Sequence, residues 1–139
     1  MHDALKMIDT IYGTPSNYFY GMAGSTYASL GLYNAWTNLT GAGILNVLSN
    51  SAANLPTTND YLRNTYYATY YQLSLMTYAG GVDTSGPNML SSKKNASLSD
   101  GMQYVVESIL REWYAQNNAA LFIWDRFTAT NYNSVDGTW

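Results

Sequence analysis

The chain has 139 residues, 47% of them apolar and only 11% charged, with nine acidic residues against six Lys and Arg and a formal net charge of −3. A soluble domain ordinarily carries roughly 25% charged residues, and a sequence pI of about 4.7 excludes a broad basic face for nucleic acid. No cysteine is present, which excludes a disulfide framework and any thiolate metal site.

The missing charge is replaced by Ser, Thr, Asn, Gly and fourteen tyrosines. Neutral polar groups wet a surface without supplying charge repulsion between molecules. The charges that exist are unevenly placed, with none between Asp9 and Asp60 and none between Arg63 and Asp83. These uncharged stretches are interrupted every few residues by Asn, Ser, Thr or Gly. A membrane span needs about 20 predominantly apolar residues, so none is expected. The start MHDALKMIDT has Asp3 and Asp9 around a short amphipathic run. It lacks the basic start and apolar run of a secretory signal, and no export signal is expected.

In chain order, HDALKMIDTIY places Leu5, Ile8, Ile11 and Tyr12 at helical spacing and ends at Gly13-Thr14-Pro15, which predicts a helix over 1–12. The Gly-rich region 17–54 reads as two helical pieces, 17–38 and 42–54, hinged at Gly41-Ala42-Gly43 and stopped by Pro56. The segment 57–81 opens on the cap residues Thr57-Thr58-Asn59-Asp60 and closes on Gly80-Gly81, which predicts a third helix. Within it YYATYYQLSLMTY holds five tyrosines in thirteen positions and no charge. One stripe, Leu62, Tyr66, Thr69, Leu73 and Met76, follows helical spacing, and a second, Tyr67, Tyr71, Ser74 and Tyr78, runs beside it. Two stripes predict two contact faces.

A polar loop follows, Ser97 or Ser99 is the expected cap of the last helix, and Ser97 with Asp100 resembles a capping pair. From there Met102, Val106, Ile109, Trp113, Gln116, Ala120, Ile123 and Phe127 keep alternating four-three spacing, which predicts a long helix over 98–130 with Glu107 and Arg111 as an exposed pair. The expected class is therefore all-α: one domain over 1–139, an antiparallel bundle of about four helices with a long C-terminal helix.

No constellation of residues announces a reaction. His2 is the single histidine and reads as a solvated terminal side chain. The acids are scattered, no G-x-S-x-G elbow occurs, and Gly41-Ala42-Gly43 lacks the Lys-Ser/Thr of a phosphate loop. No catalytic, metal or cofactor residue is assigned, and the chain reads as a non-enzyme. Tyrosine has a large contact area, two side-chain torsions to freeze and a hydroxyl that tolerates wetting. Tyr67, Tyr71, Tyr78, Tyr18, Tyr27 and Trp36 are therefore the expected subunit interface, while Tyr66 and Tyr70 are assigned to the core. A carbohydrate-binding module with Tyr and Trp platforms is the alternative. Two sequons, at Asn38 and Asn95, are candidate glycosylation sites.

The segments DYLRNTYYATYYQLSLMTYAGG and QYVVESILREWYAQNNAALFIWDRF, with the cysteine-free Tyr/Asn/Ser/Thr-rich composition, carry a likeness of style. In these the chain resembles the small α-helical coat proteins of hyperthermophilic archaeal viruses, of the tailed spindle-shaped type. The resemblance implies a helical-bundle subunit that polymerises into a virion shell or tube. Filamentous relatives clasp DNA with basic helices or arms. Here the start MHDALK is not basic, and Lys93, Lys94 and Arg63 are the candidate contacts with packaged viral DNA.

Overall fold

A computed structural model describes residues 1–125 of the chain and corrects the expected class. The fold is mixed α/β: helices pack on a three-stranded parallel sheet, and there is no all-α bundle. Helix α1 (His2–Tyr12) leads through a 3-10 turn (Pro15–Asn17) to strand β1 (Gly21–Ser29). A second 3-10 turn (Gly31–Ala35), helix α2 (Gly41–Ala53), a third 3-10 turn (Leu55–Thr57) and helix α3 (Asn59–Tyr70) follow. The chain continues through strand β2 (Ser74–Asp83), helices α4 (Leu90–Ser97) and α5 (Gly101–Tyr114), and strand β3 (Ala119–Trp124).

Each strand replaces part of an expected helix. GMAGSTYAS alternates, with Met22, Thr26 and Ala28 buried and Ser25 exposed between them, and period two is the signature of a half-buried strand. The Tyr-rich helix expected over 57–81 ends at Tyr70, because Gln72 takes a left-handed conformation (φ 55°). Gly80 and Gly81 do not stop a helix. They lie inside β2, where a Cβ on Gly80 would come within 2.7 Å of both the Thr26 carbonyl oxygen and Phe122 Cζ. Gly81, at φ +131°, faces the Trp124 ring, which a Cβ would approach to 2.8 Å. The expected helix over 98–130 stops at Tyr114, and after Asn117-Asn118 the run AALFIW is β3. Residues 126–130 of that expected helix, with Arg126 and Phe127, lie outside the described residues, as does Trp139. The expected polar loop holds α4, so Ser97 ends a helix instead of capping one, and Asp100 precedes α5 without a side-chain cap. Arg111 meets Glu112 at 3.4 Å, while Glu107 accepts from Gln103, in place of the expected Glu107–Arg111 pair.

The strand order is β1-β2-β3 and both pairings are parallel. Parallel neighbours require long crossovers. Here α2 and α3 connect β1 to β2, and α4 and α5 connect β2 to β3. Ile44, Leu48 and Ala52 of α2 and Val105 and Ile109 of α5 close over Ala28 and Val82, with Phe122 and Trp124 at the margin. A second cluster joins Leu5, Met22, Tyr61, Ala68, Tyr71, Leu73, Leu75 and Trp113. Tyr61 meets the Trp113 ring edge-on at 6.0 Å and donates to the Glu112 carbonyl oxygen at 3.1 Å. Both clusters use the same face of the sheet.

Candidate functional site: an open sheet face and a carboxyl-edge groove

The other face of the sheet carries Ala23, Ser25 and Tyr27 on β1, Met76 and Tyr78 on β2, and Leu121 and Ile123 on β3. The register sets Ala23 beside Met76 and Met76 beside Leu121. Between Thr77 and Gly80 the register shifts against β3, and between Gly24 and Ser25 it shifts against β2. The bulge leaves Tyr78 unpaired and 62% exposed, the re-aiming of a side chain that bulges bring about. Leu121 and Ile123 are 48% and 46% exposed. Parallel sheets are ordinarily covered on both faces, and among the described residues no helix covers this one. At its carboxyl end Tyr27 donates to Asp125 Oδ2 at 2.9 Å. Burial first, then the hydrogen bond and charge of Asp125, push the Tyr27 pKa up to about 12.

The expected interface residues are dispersed. Tyr78, Tyr18 and Trp36 are exposed, and Tyr27 is half-buried on the open face. Tyr67 is half-buried, stacked on His2 with ring centroids 4.6 Å apart and with Lys6 Nζ 5.5 Å from its centre. His2 itself is not a solvated terminal residue, since Nε2 lies 3.0 Å from Asn64 Oδ1. Tyr71 is a core residue, 4% exposed. The assignment of Tyr66 and Tyr70 to the core is reversed. They are exposed and stacked on each other at 6.0 Å, in line with exposed Leu62. The inward side of the helix is chosen by the sheet, which helical spacing alone does not reveal.

Among the candidate cations, Arg63 is exposed and Lys94 half-buried, but Lys93 has no accessible surface. Its ammonium donates to the carbonyl oxygens of Gly86 at 2.9 Å and Ser85 at 3.4 Å. Burial lowers its pKa, with the Asp83 carboxylate partly opposing. Lys93 therefore ties down the loop after β2 and has no surface to offer a phosphate. Asn38 and Asn95 are both exposed.

The carboxyl ends of β1 and β2 are linked by polar contacts. Ser29 donates through Oγ to Asp83 Oδ2 at 3.2 Å, and the Ser85 amide donates to Asp83 Oδ1 at 2.9 Å. The Ser29 amide donates to Ser51 Oγ, and the Gly31 amide to Ser29 Oγ. Beside them lies a groove of about 570 Å³ between the chain leaving β1 (Leu30, Tyr33) and α2 (Val47, Asn50). The rim of a parallel sheet at its carboxyl ends is where open α/β folds bind ligands. Nothing in the sequence marks this groove, because it exists only at the carboxyl edge of β1, whose small residues read as helix.

Among the described residues, no group of three or more His, Cys, Asp or Glu could hold a metal ion, and no helix is long and apolar enough to cross a membrane. No family model, no curated protein and no solved structure matches the chain.

Proposed function

We propose that the chain is a self-assembling structural subunit whose open sheet face is closed by another copy of itself. The observation that carries this reading is the exposed apolar face of a parallel sheet, centred on Met76, Tyr78, Leu121 and Ile123. Burying apolar surface stabilises by about 25 cal/mol per Å², and this face has no covering helix among the described residues. Among the described residues its charge is confined to the carboxyl end, where Asp125 is held by Tyr27 and Asp83 by Ser29. Low charge at the centre is characteristic of protein interfaces. A like copy brings an equally uncharged centre, and its carboxylates come already held by Tyr27 and Ser29.

The coat-protein resemblance implied assembly through helix faces. With the bundle overturned, the sheet face takes that role, and a virion shell or tube is the assembly proposed. The test is sedimentation velocity and electron microscopy of the purified protein over a concentration series. Concentration-dependent oligomers or regular particles, lost on Tyr78→Asp with the circular dichroism spectrum unchanged, support the reading. A monomer at millimolar concentration overturns it.

A further inference from the structure

We infer that the groove at the carboxyl end of β1 is a binding site for a neutral oligosaccharide, a role independent of assembly through the sheet face. Its volume of about 570 Å³ falls within the range of small-ligand sites, roughly 300–1,000 Å³. Among the described residues, no Asp, Glu, Lys, Arg or His lines it. The nearest carboxylate described above, Asp83, is turned to Ser29 and Ser85. A charged ligand would leave water without gaining a partner, so an anionic or cationic occupant is disfavoured and a nucleic acid finds no cation on the walls.

The polar groups that remain suit hydroxyls. Asn46 and Asn50 of α2 and Asn54 just past its end line the groove at four-residue intervals, and the two helical ones stand one turn, about 5.4 Å, apart. The Asn54 amide donates to the Asn50 carbonyl oxygen at 2.8 Å. Among the described residues, the side-chain amides of Asn46 and Asn50 make no hydrogen bond within the protein. Each presents two donors and an acceptor, the complement of two neighbouring hydroxyls. A sugar ring advances along its chain by a distance close to one helical turn, so successive Asn residues can meet successive rings.

The remaining walls suit the carbon face of a sugar. Leu30, Leu39 and Val47 supply aliphatic surface. Tyr33 lines the rim, and Trp36 meets its ring edge-on with centroids 4.8 Å apart. Both rings are exposed. An apolar peptide would fill the aliphatic floor but would desolvate the two free amides without satisfying them. A polyhydroxylated ligand satisfies both.

The test is a heteronuclear NMR titration of the soluble Tyr78→Asp chain with cellohexaose, maltohexaose, mannohexaose and chitohexaose, with a heparin hexasaccharide as the charged control. The expected result is binding of at least one neutral hexasaccharide with Kd of about 1 mM or tighter, with shifts centred on Tyr33, Asn46 and Asn50. Asn46→Ala with Asn50→Ala, both at exposed positions, should weaken that binding about tenfold or more. Tyr33→Ala should weaken it as well, with unchanged thermal melting in every variant. Absence of binding by all four sugars at about 10 mM, shifts centred elsewhere, or heparin binding as tightly as the neutral sugars overturns the assignment. Because the titration uses a variant defective in self-association, failure of either proposal leaves the other standing.

Discussion

The Leu73 amide donates to the Ala68 carbonyl oxygen at 2.8 Å, while Gln72 donates through its own amide to Thr69 at 3.2 Å. This pair of bonds is a Schellman motif that ends α3, with Ala68 and Leu73 in one core cluster as its apolar contact. The left-handed position between them is normally glycine, and here it is Gln72 at φ 55°. A side chain there costs about 1–2 kcal/mol. Gln72→Gly should therefore raise stability by about 1 kcal/mol, after allowing for the added freedom of the unfolded chain. Gln72→Val should lower it. Urea unfolding of the three proteins with equal m-values checks both signs.

Gly80 should tolerate no side chain. A Cβ there would meet the backbone carbonyl of Thr26 as well as the Phe122 ring, each at 2.7 Å. The ring can turn, but the carbonyl belongs to the neighbouring strand. Gly80→Ala should cost about 1–3 kcal/mol, the range for overpacking. Gly13→Ala is the comparison, since a Cβ there meets nothing within 4 Å and only its φ of +93° is strained. Thermal unfolding should place Gly80→Ala clearly below it.

These two positions also show what the sequence made legible. The helical spacing that begins at Leu5 marks α1, of which Leu5 alone is buried, and the Gly41-Ala42-Gly43 hinge and Pro56 bracket α2, which buries Ile44, Leu48 and Ala52. The strands were hidden for separate reasons. In β1, small residues leave little contrast between faces. Before β2, the helix stop is a glutamine where a glycine would have signalled it, and the glycines that do occur serve ring packing. In β3, Ile123 continues the helical spacing of α5 across the break at Asn117-Asn118. There the Leu75 amide donates to the Asn118 carbonyl oxygen, and the Asn118 side chain donates to Leu73. Those are long-range bonds that no local pattern announces. Without strands, neither the open face nor the carboxyl-edge groove could be placed. Tyr71 could not be told from Tyr66 and Tyr70 for the same reason.

Alkaline stability should follow Tyr27 and Tyr61. Both pKa values are raised to about 12, chiefly by burial, against about 10 in the unfolded chain. A group whose folded pKa is raised contributes stability that is fully present below pH 10. That contribution is lost as pH rises from about 10 toward 12. Absorbance at the tyrosinate band should show these two rings ionising late, with unfolding in that window. Tyr27→Phe should flatten the alkaline loss, because no phenol remains there to ionise.

Lys93 should act in the opposite direction. Its folded pKa is lowered, so the fold is penalised while the ammonium is charged. The penalty is relieved as pH rises from the lowered value toward the ordinary one, about 10.4. Lys93→Met keeps the aliphatic volume and removes that pH dependence, although the Ser85 and Gly86 carbonyls lose their donor. Lys93→Ala also empties the space of a fully buried side chain and should cost about 2–5 kcal/mol. Chemical denaturation of the three proteins at pH 7 and pH 9.5 separates the charge effect from the cavity.

Among the exposed apolar surfaces, the stripe Leu62, Tyr66 and Tyr70 on α3 competes with the sheet face around Tyr78 for the role of assembly interface. They differ in what they already touch. Tyr66 and Tyr70 stack on each other at 6.0 Å and meet Tyr67 and Tyr71 edge-on, so part of their ring area is satisfied within the helix. Tyr78 stands out from a bulge on a strand whose open-face neighbours are Met76, Leu121 and Ile123. Tyr78→Asp should therefore abolish self-association and leave folding intact, with a loss of about 3 kcal/mol or more in interface free energy, as expected where a charge enters a dry contact. Tyr66→Asp should weaken association less than tenfold. Tyr71→Asp is a folding variant, because it buries a carboxylate among Leu73, Leu75 and Trp113, and helicity should fall with it. Sedimentation equilibrium beside circular dichroism reads all three variants. Loss of assembly in Tyr66→Asp with normal assembly in Tyr78→Asp would transfer the interface to α3.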